Sequence, residues 1–167
     1  MYRLMIAALA LLVGCVAPTQ IKVGNYRPAK APIYSSAVLQ PDRLTGRWVQ
    51  VAGFAPAAGG CGVGGVDIAQ KPGGLTAAYR LCLSGGDMRG GGAMVPAGPG
   101  RFTVPGQTGP WWVLWADADY RTLVIGTPSG QFGFILNRDG TLPPDRMRAA
   151  REILDWNGYD LKRLQVF

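Results

Sequence analysis

Residues 42–54 read DRLTGRWVQVAGF, and this stretch decides the fold. After Gly46 the side chains alternate in character, and this period predicts a β-strand over residues 46–54. A glycine at the start of a strand is typical of a place where the backbone bends or closely approaches another segment. Trp48 follows two residues later, so it lies on the same face of the strand as Gly46. The stretch therefore predicts a first strand that directs a tryptophan into a core.

Similar strand-like segments continue along the chain, separated by short turns. The chain has 25 glycines and 13 prolines among 167 residues, and only 16% of its residues are charged. The predicted strands cover residues 46–54, 63–70, 75–83, 87–95, 100–105, 111–117, 120–127 and 131–138. Short strands at regular spacing, without helices between them, favour an all-β fold, an eight-stranded up-and-down antiparallel β-barrel. A β-sandwich is the alternative.

One helix is predicted after the eighth strand. Thr141 is its predicted N-cap, Pro143 and Pro144 suit a first turn, and Asn157-Gly158 is a typical stop signal. An apolar stripe is formed by Met147, Ala150, Ile153 and Leu154. The stripe predicts that this helix packs on the outside of the barrel, and a short final strand is expected within residues 159–167.

Two of the three cysteines are predicted to form a disulfide bond. Cys61 and Cys82 lie almost symmetrically about the turn Pro72-Gly73-Gly74, so an antiparallel hairpin would bring them face to face. A closed loop of this length stabilises a fold by about 3 kcal/mol in the chain-entropy description. The alternative is a pair of free buried thiols.

Composition excludes several classes of function. The chain has no histidine, which removes Ser-His and Cys-His nucleophile pairs and the commonest metal ligand. The net charge is +7, from 17 basic and 10 acidic residues. No basic run is interleaved with aromatic residues, so nucleic-acid binding is not expected. We predict no enzymatic activity, no cofactor and no metal site. The positive charge suits either a solvated surface or attraction to anionic headgroups or ligands.

The first fifteen residues, MYRLMIAALALLVGC, resemble the signal sequence of a bacterial lipoprotein. Arg3 precedes an apolar run that is too short to span a bilayer, and Leu12-Val13-Gly14-Cys15 resembles the lipobox. This resemblance implies that residues 1–14 are a signal peptide and that Cys15 is acylated, so that acyl chains anchor the protein to a membrane. Val16 after the cysteine implies sorting to the periplasmic face of the bacterial outer membrane.

The rest of the chain divides into two parts. Residues 15–39 contain several prolines and show no clear period, so they are predicted to form a lipidated N-terminus and an extended, partly flexible tether. Residues 40–167 are predicted to form one domain. Removal of Arg3 with the signal peptide would leave 16 basic residues against 10 acidic ones, a net charge of +6.

Three short motifs in order resemble the signature of the lipocalin family. The first is Gly46-x-Trp48, the second is Asp117-Ala118-Asp119-Tyr120, and the third is Ile135-Leu136-Asn137-Arg138. The longer run from Trp111 to Pro128 is similar to that of bacterial outer-membrane lipocalin lipoproteins. The resemblance covers residues 40–167 and implies the lipocalin barrel.

The same resemblance implies roles at the closed end of the barrel. Trp48 is expected to plug that end, and Gly46 to let the chain bend closely beneath it. Arg138 is expected to lie across the indole in a cation–π contact. Asp117 and Tyr120 are expected to hold the neighbouring turn. These five residues are therefore structural in this interpretation, and none is catalytic.

An eight-stranded barrel has room for one small ligand, and strand alternation gives candidates for its lining. The predicted lining residues are Gln50, Ala52, Phe54, Tyr79, Trp112, Leu114, Phe132 and Phe134. Such an aromatic and aliphatic lining suits an elongated apolar ligand. We therefore expect a lipid-anchored lipocalin that stores or transports a fatty acid, lysophospholipid or similar amphiphile. The alternative is a barrel filled by its own side chains, which serves as an interaction module for an envelope protein.

Overall fold

The computed structural model describes residues 25–55, 61–84 and 86–167 of the chain. The strands are β1 Gly46–Gly53, β2 Gly65–Lys71, β3 Gly74–Leu83, β4 Gly86–Ala93, β5 Val95–Pro96, β6 Arg101–Thr103, β7 Trp111–Ala116, β8 Thr122–Gly126, β9 Gly133–Asn137 and β10 Gln165–Val166. Helix α1 spans Pro144–Trp156, and 3₁₀ helices span Pro41–Leu44 and Leu161–Arg163. None of the described helices is both long and apolar enough to cross a membrane.

The strands form one antiparallel sheet in the order β4-β3-β2-β1-β9-β8-β7-β6-β5, with β10 paired to β1. β4 and β5 stand at opposite ends of this order, yet they follow each other along the chain with Met94 between them. They are two halves of one bent strand, which pairs first with β3 and then with β6. The sheet thus curls into a nearly closed up-and-down barrel, and the predicted fold is confirmed.

The bend between β4 and β5 has a local cause. Gly92 has a φ of +143°, which L side chains rarely adopt, and a Cβ there would lie 2.9 Å from Cγ of Pro105. Met94 is buried, and its N–H donates to the carbonyl of Leu75 over 2.8 Å. The fourth predicted strand, residues 87–95, is therefore divided into two.

The barrel has two distinct ends. The closed end carries the start of β1, the β2–β3 turn and the β7–β8 turn, whereas the open end carries the β1–β2, β3–β4, β6–β7 and β8–β9 connections. Buried side chains form two clusters, one inside the barrel and one between its outer surface and α1. The helix packs on β7 and β8 through Ala150 and Leu154, as its apolar stripe predicted.

The helix begins differently from the prediction. Its N-cap is Pro143, with Pro144 as the first helical residue, and no side chain caps it. Thr141 instead offers its backbone carbonyl to the amide of Asn137, over 2.7 Å. Thr141 as the predicted cap was therefore wrong, because the two prolines move the start of the helix away from it.

Residues 25–40, which we call the strap, run along the outside of the barrel from the open end to the closed end. At the open end, the N–H of Tyr26 donates to the carbonyl of Gly130 over 2.7 Å. At the closed end, the N–H of Gln40 donates to the hydroxyl of Tyr120 over 2.7 Å. The described part of the predicted tether is thus packed on the barrel. The predicted signal peptide and Cys15 lie outside the described residues.

Arg27 holds the strap at the open end. Its side chain is buried, and its Nε donates to the carbonyl of Asn157 over 2.8 Å. The other guanidinium nitrogens donate to the carbonyls of Pro128, Ala31 and Pro32. The guanidinium therefore joins the strap to the end of α1 and to the β8–β9 connection.

The disulfide bond between Cys61 and Cys82 is present, with Cα atoms 5.6 Å apart. It joins the end of the β1–β2 connection to β3 near the open end. The predicted pairing is confirmed.

Candidate functional site

Trp48 closes one end of the barrel. Its indole is fully buried, and its Nε1 donates to the carbonyl of Leu44 over 2.8 Å. The guanidinium carbon of Arg138 lies 3.5 Å from the centroid of the indole. Partial burial lowers the pKa of this guanidinium from its ordinary value, but arginine stays charged at any physiological pH. At Gly46 φ is +104°, and a Cβ would lie 2.9 Å from Nη1 of Arg138, so glycine leaves room for the guanidinium.

The β7–β8 turn lies beside this contact. Asp117 accepts the backbone N–H groups of Arg121 and Thr122 over 2.7 and 2.6 Å. These bonds close a turn in which Tyr120 has a φ of 55°. The carbonyl of Tyr120 in turn accepts from Nε of Arg138 over 3.2 Å. The five signature residues thus form one connected arrangement at the closed end.

The barrel interior is lined by apolar side chains. It includes Trp48, Val66, Ile68, Leu75, Ala77, Tyr79, Leu81, Leu83, Met94, Phe102, Val104, Trp111, Val113, Leu123, Ile125, Phe132, Phe134 and Leu136. Toward the open end, Trp111 packs edge-on against Phe134 with ring centroids 5.3 Å apart, and against Tyr79 at 5.7 Å. Among these residues Tyr79 alone carries an ionisable group, so the interior offers no charged partner to a ligand.

The connection between β6 and β7, residues 104–110, lies against the open end, and we call it the mouth loop. The hydroxyl of Tyr79 donates to the carbonyl of Pro105 over 2.9 Å. A Cβ on Gly106 would lie 2.6 Å from that hydroxyl, and a Cβ on Gly109 would lie 2.7 Å from Oγ1 of Thr127. The mouth loop therefore contacts both β3 and the β8–β9 connection.

Buried polar atoms without hydrogen-bond partners collect at this end. Within the described residues they are Nε1 of Trp111, Oγ1 of Thr127 and both amide atoms of Gln107. Trp111 and Thr127 are 1% and 0% exposed. An unpaired buried polar group costs about 1–3 kcal/mol, so these atoms mark a place suited to a polar group of a ligand.

Four of the predicted lining residues lie outside the barrel. Ala52, Phe54 and Leu114 belong to the cluster under α1, and Trp112 packs against that cluster. The prediction that they face the lumen was wrong. Ala52 and Phe54 follow an irregularity in β1, whereas Trp112 and Leu114 were assigned from the wrong starting face of β7.

Strict alternation fails at two places in the sheet. The register shifts between Gln50 and Ala52 on β1, and again between Val113 and Trp115 on β7. Each irregularity reverses the facing of the residues that follow it. On β7 the prediction also began on the wrong face, since Trp111 and not Trp112 is directed inward.

The other four predicted lining residues are buried, and the polar groups of two of them are occupied by hydrogen bonds. Phe132 and Phe134 are in the interior cluster, with ring centroids 6.1 Å apart. Gln50 is fully buried, but its amide is occupied by the backbone of Cys82, with two bonds of 2.8 Å. Tyr79 is in the interior, and its hydroxyl is bonded to the mouth loop.

The residues that the sequence did not single out are Gln107, Trp111 and Thr127. The pair Trp111-Trp112 at the start of a strand contained a usable signal, because one ring of such a pair must face inward. For Gln107 and Thr127 no signal exists, since both lie in connections without a period.

Cavities of about 480, 430 and 360 Å³ lie on the outer surface of the described structure. The first is a groove across β1–β4 beside Arg47, Arg80 and Arg89. Arg80 also donates a hydrogen bond to Asp87 on β4, and this bond lowers the pKa of that carboxyl group. The second adjoins the first residues of the strap, and the third lies between α1 and Leu161. No metal-binding group of acidic or cysteine side chains occurs among the residues described.

Comparison with known proteins agrees with this architecture. A family model described as a lipocalin-like domain matches residues 99–167, which include the stretch from β6 to β10. Temperature-induced lipocalin-1 of Arabidopsis thaliana is 35% identical over 57 residues, which are 34% of this chain and 31% of that protein. The matched segment thus spans about a third of the length of the curated relative.

Two solved structures share the fold. The siderocalin Ex-FABP, described as functioning through dual ligand specificities, superposes with a TM-score of 0.55 at 16% identity, covering 75% of this chain and 93% of its own. The major allergen Per a 4 from cockroaches gives a TM-score of 0.62 at 11% identity, covering 83% and 94%. The barrel is therefore of the lipocalin type. In sequence, residues 99–167 resemble a lipocalin-like domain.

Proposed function

We propose that this protein is a lipid-anchored lipocalin that binds a small hydrophobic ligand at the periplasmic face of a bacterial outer membrane. A fatty acid, a lysophospholipid or a similar amphiphile is the proposed ligand class. The lipocalin fold supports binding of small hydrophobic ligands. The anchor and the location are supported by the lipobox-like sequence that ends at Cys15.

The observation that carries the proposal is the group of unpaired polar atoms at the open end. Nε1 of Trp111 is a donor, and Oγ1 of Thr127 can donate or accept. A ligand with a carbonyl or hydroxyl group near the mouth would satisfy these atoms, while its chain would replace contacts between interior rings. The ligand enters when the mouth loop moves away from Tyr79.

Burial of an acyl chain is the main favourable contribution to such binding. Burial of about ten methylene groups contributes about 0.8 kcal/mol each. Association and the ordering of side chains oppose this gain by about 4–15 kcal/mol. Ten methylene groups therefore leave at most about 4 kcal/mol, a millimolar dissociation constant, and tighter binding requires the polar contacts and a longer chain.

Native mass spectrometry of residues 16–167, exported to a bacterial periplasm and purified without detergent, tests ligand binding. We expect an added mass that organic extraction removes and that belongs to one class of amphiphile. Uptake of a fluorescent fatty acid then gives a dissociation constant for variants. Protein that carries no lipid and takes up no probe contradicts the proposal.

Two matched threonine substitutions test whether the ligand binds at the open end. Thr127→Val removes the unpaired hydroxyl and should weaken binding about five- to tenfold, the loss of one hydrogen bond, with little change in stability. Thr122→Val is the control, because its Oγ1 donates to Oδ1 of Asn137 over 3.0 Å at the closed end. It should lower the stability of the fold and leave the dissociation constant unchanged. Equal effects of both substitutions on binding would show that the open end is not the site.

A second candidate function is an interaction module, and the filled interior favours it. The side chains of the interior cluster are at most 8% exposed, and the three cavities described above lie outside it. In that case the barrel would dock on an envelope protein and bind no lipid. Copurification of a stoichiometric protein partner, together with a protein free of lipid, would make this the better explanation.

A further inference from the structure

The strap begins at the open end of the barrel. Tyr26 is bonded to Gly130, and Arg27 to Pro128, in the β8–β9 connection that borders the mouth. From there the strap runs toward the closed end, where Gln40 meets Tyr120. Any anchor that precedes residue 25 is therefore attached to the protein beside its mouth, and the closed end is the part held farther away.

Two exposed aromatic side chains lie beside this point of attachment. Trp156, the last residue of α1, is 77% exposed, and Tyr34 of the strap is 57% exposed. The N–H of Tyr34 donates to Oδ1 of Asn157 over 2.8 Å, which places the backbone of Tyr34 at the end of α1, one residue from Trp156. Exposed Trp and Tyr are typical of membrane interfaces, because each combines an apolar ring with a polar atom.

The same surface adjoins the start of the strap. Asn25, Asp155 and Gly158 line one cavity of about 430 Å³, and Asp155 precedes Trp156 in the chain. The first described residue and the exposed tryptophan therefore lie on one side of the molecule.

Basic side chains flank the aromatic pair. Lys30 and Lys162 are both exposed, and Lys30 adjoins Ala31, which lies against Gly158. Acidic residues on this surface include Glu152, Asp155 and Asp160, and the last two line the cavity at the start of the strap. The acylated chain, without residues 1–14, would carry 16 − 10 = +6, so long-range attraction to an anionic bilayer adds to the local contacts.

We infer that the surface formed by Lys30, Tyr34, Trp156 and Lys162, which we call the aromatic face, rests on an anionic lipid bilayer. The inference depends on the proposed acylation of Cys15. Ten residues separate Cys15 from Asn25 (25 − 15 = 10), a distance of at most about 35 Å when fully extended. The anchor limits the distance between the start of the strap and the membrane, and contact of the aromatic face with the headgroups then turns the mouth of the barrel toward the lipids. The barrel then exchanges its ligand with the bilayer without release into the periplasm.

Tryptophan fluorescence of the full, acylated protein tests this orientation. The protein is reconstituted in vesicles of phosphatidylethanolamine and phosphatidylglycerol, with or without phospholipids brominated close to the headgroup. Brominated lipids quench only tryptophans within the interface. The wild type is compared with Trp156→Phe and with a variant that combines Trp156→Phe and Val38→Trp. Val38 is 86% exposed and lies near the closed end of the strap, so it is a matched exposed position.

We expect the wild type to lose emission to the brominated lipid and Trp156→Phe to lose much less. The Val38→Trp variant should behave like Trp156→Phe. Equal losses in the wild type and Trp156→Phe, or strong quenching at position 38, would overturn the inference. Intact mass of the same sample reports acylation independently. A chain without acyl groups would overturn the anchor and the orientation together, whereas ligand binding is decided separately by native mass spectrometry.

Discussion

At the scale of single residues, Gln50 illustrates how a polar side chain can complete a sheet. β2 begins only at Gly65, opposite Val49, so at the open end no residue of this strand lies between β1 and β3. The amide of Gln50 spans this gap, with its Nε2 donating to the carbonyl of Cys82 and its Oε1 accepting the N–H of Cys82. A side-chain amide thus takes the place of a peptide group of the missing part of β2.

Gln50→Leu should lower the free energy of unfolding by about 2–4 kcal/mol, because it leaves a buried N–H and a buried carbonyl of Cys82 unpaired. Urea unfolding measures the change. Gln70→Leu is the matched control, since Gln70 is exposed on β2, and it should change stability by less than about 0.5 kcal/mol. A stable Gln50→Leu protein would mean that Gln50 is free for other roles, such as contact with a ligand.

Tyr159 makes stability depend on alkaline pH. Its hydroxyl accepts the N–H of Thr127 over 2.8 Å and donates to the carbonyl of Phe132 over 2.9 Å. Burial raises the pKa of Tyr159 to about 12, and this outweighs the opposite effects of the Thr127 hydrogen bond and of Arg27. Because the pKa is raised in the folded state, the contribution is complete below about pH 10, the unfolded pKa. It is lost as the pH rises toward 12.

We therefore expect the free energy of unfolding to fall by about 1.4 kcal/mol per pH unit between about pH 10 and pH 12. Urea unfolding at a series of pH values measures this slope. Tyr159→Phe should be less stable at neutral pH and should lack this part of the slope. If both proteins lost stability in parallel, another group would be responsible.

At the scale of elements, the sequence predicted where strands lie better than which way their side chains face. Glycine and proline turns delimit the strands, and these turns are local, so the bounds of β1, β3 and β9 agree closely with the prediction. Facing depends on register, and the irregularities after Gln50 and Val113 depend on pairing with distant strands. Ala52 was placed inside for that reason, although it packs under α1. Leu114 was placed inside because the alternation on β7 was started from Trp112, whereas Trp111 is the residue that faces inward.

The strap was predicted as part of a tether for a related reason. Its prolines and its lack of a period are signals of an irregular segment, and the segment is indeed irregular. Its packing depends on partners far along the chain, such as Gly130 and Asn157. No pattern within residues 25–40 predicts those partners. From the sequence alone Arg27 would be expected at the surface, because arginine is rarely buried, yet its side chain is buried.

Arg27→Met should release the strap from the open end. The substitution keeps an apolar stem but leaves buried carbonyls, including those of Asn157 and Pro128, without their donor. We expect a loss of about 2–4 kcal/mol in stability and faster hydrogen exchange at the N–H groups of Tyr26 and Asp160, which bond across this junction. Lys30→Met, at an exposed position of the same strap, is the control and should change neither quantity. Unchanged exchange in Arg27→Met would show that other contacts hold the strap.

At the scale of the whole molecule, the contacts that cover Trp48 and the proposed binding site lie at opposite ends of the barrel. The closed end joins parts of the chain that are far apart in sequence. Arg138 donates to the carbonyls of Arg43 and Arg47 over 3.0 and 3.1 Å, across 95 and 91 residues, and covers Trp48. The open end instead carries the unpaired atoms of Trp111 and Thr127. The contacts that close the barrel thus lie at the end opposite to the proposed binding site.

Arg138→Lys tests this division. A lysine keeps the charge but lacks the planar fork that donates to several carbonyls while lying over an indole. The free energy of unfolding should fall by about 1–3 kcal/mol, from lost hydrogen bonds and a weaker cation–π contact, whereas the dissociation constant of a fluorescent fatty acid should change less than twofold. Arg148→Lys, on the exposed side of α1, should alter neither value. Thr127→Val should show the opposite pattern, weaker binding at unchanged stability. The two variants together therefore distinguish the contribution of the closed end from that of the open end. A large loss of affinity in Arg138→Lys would instead show that the contacts over Trp48 control the shape of the open end. The two ends of the barrel would then be coupled.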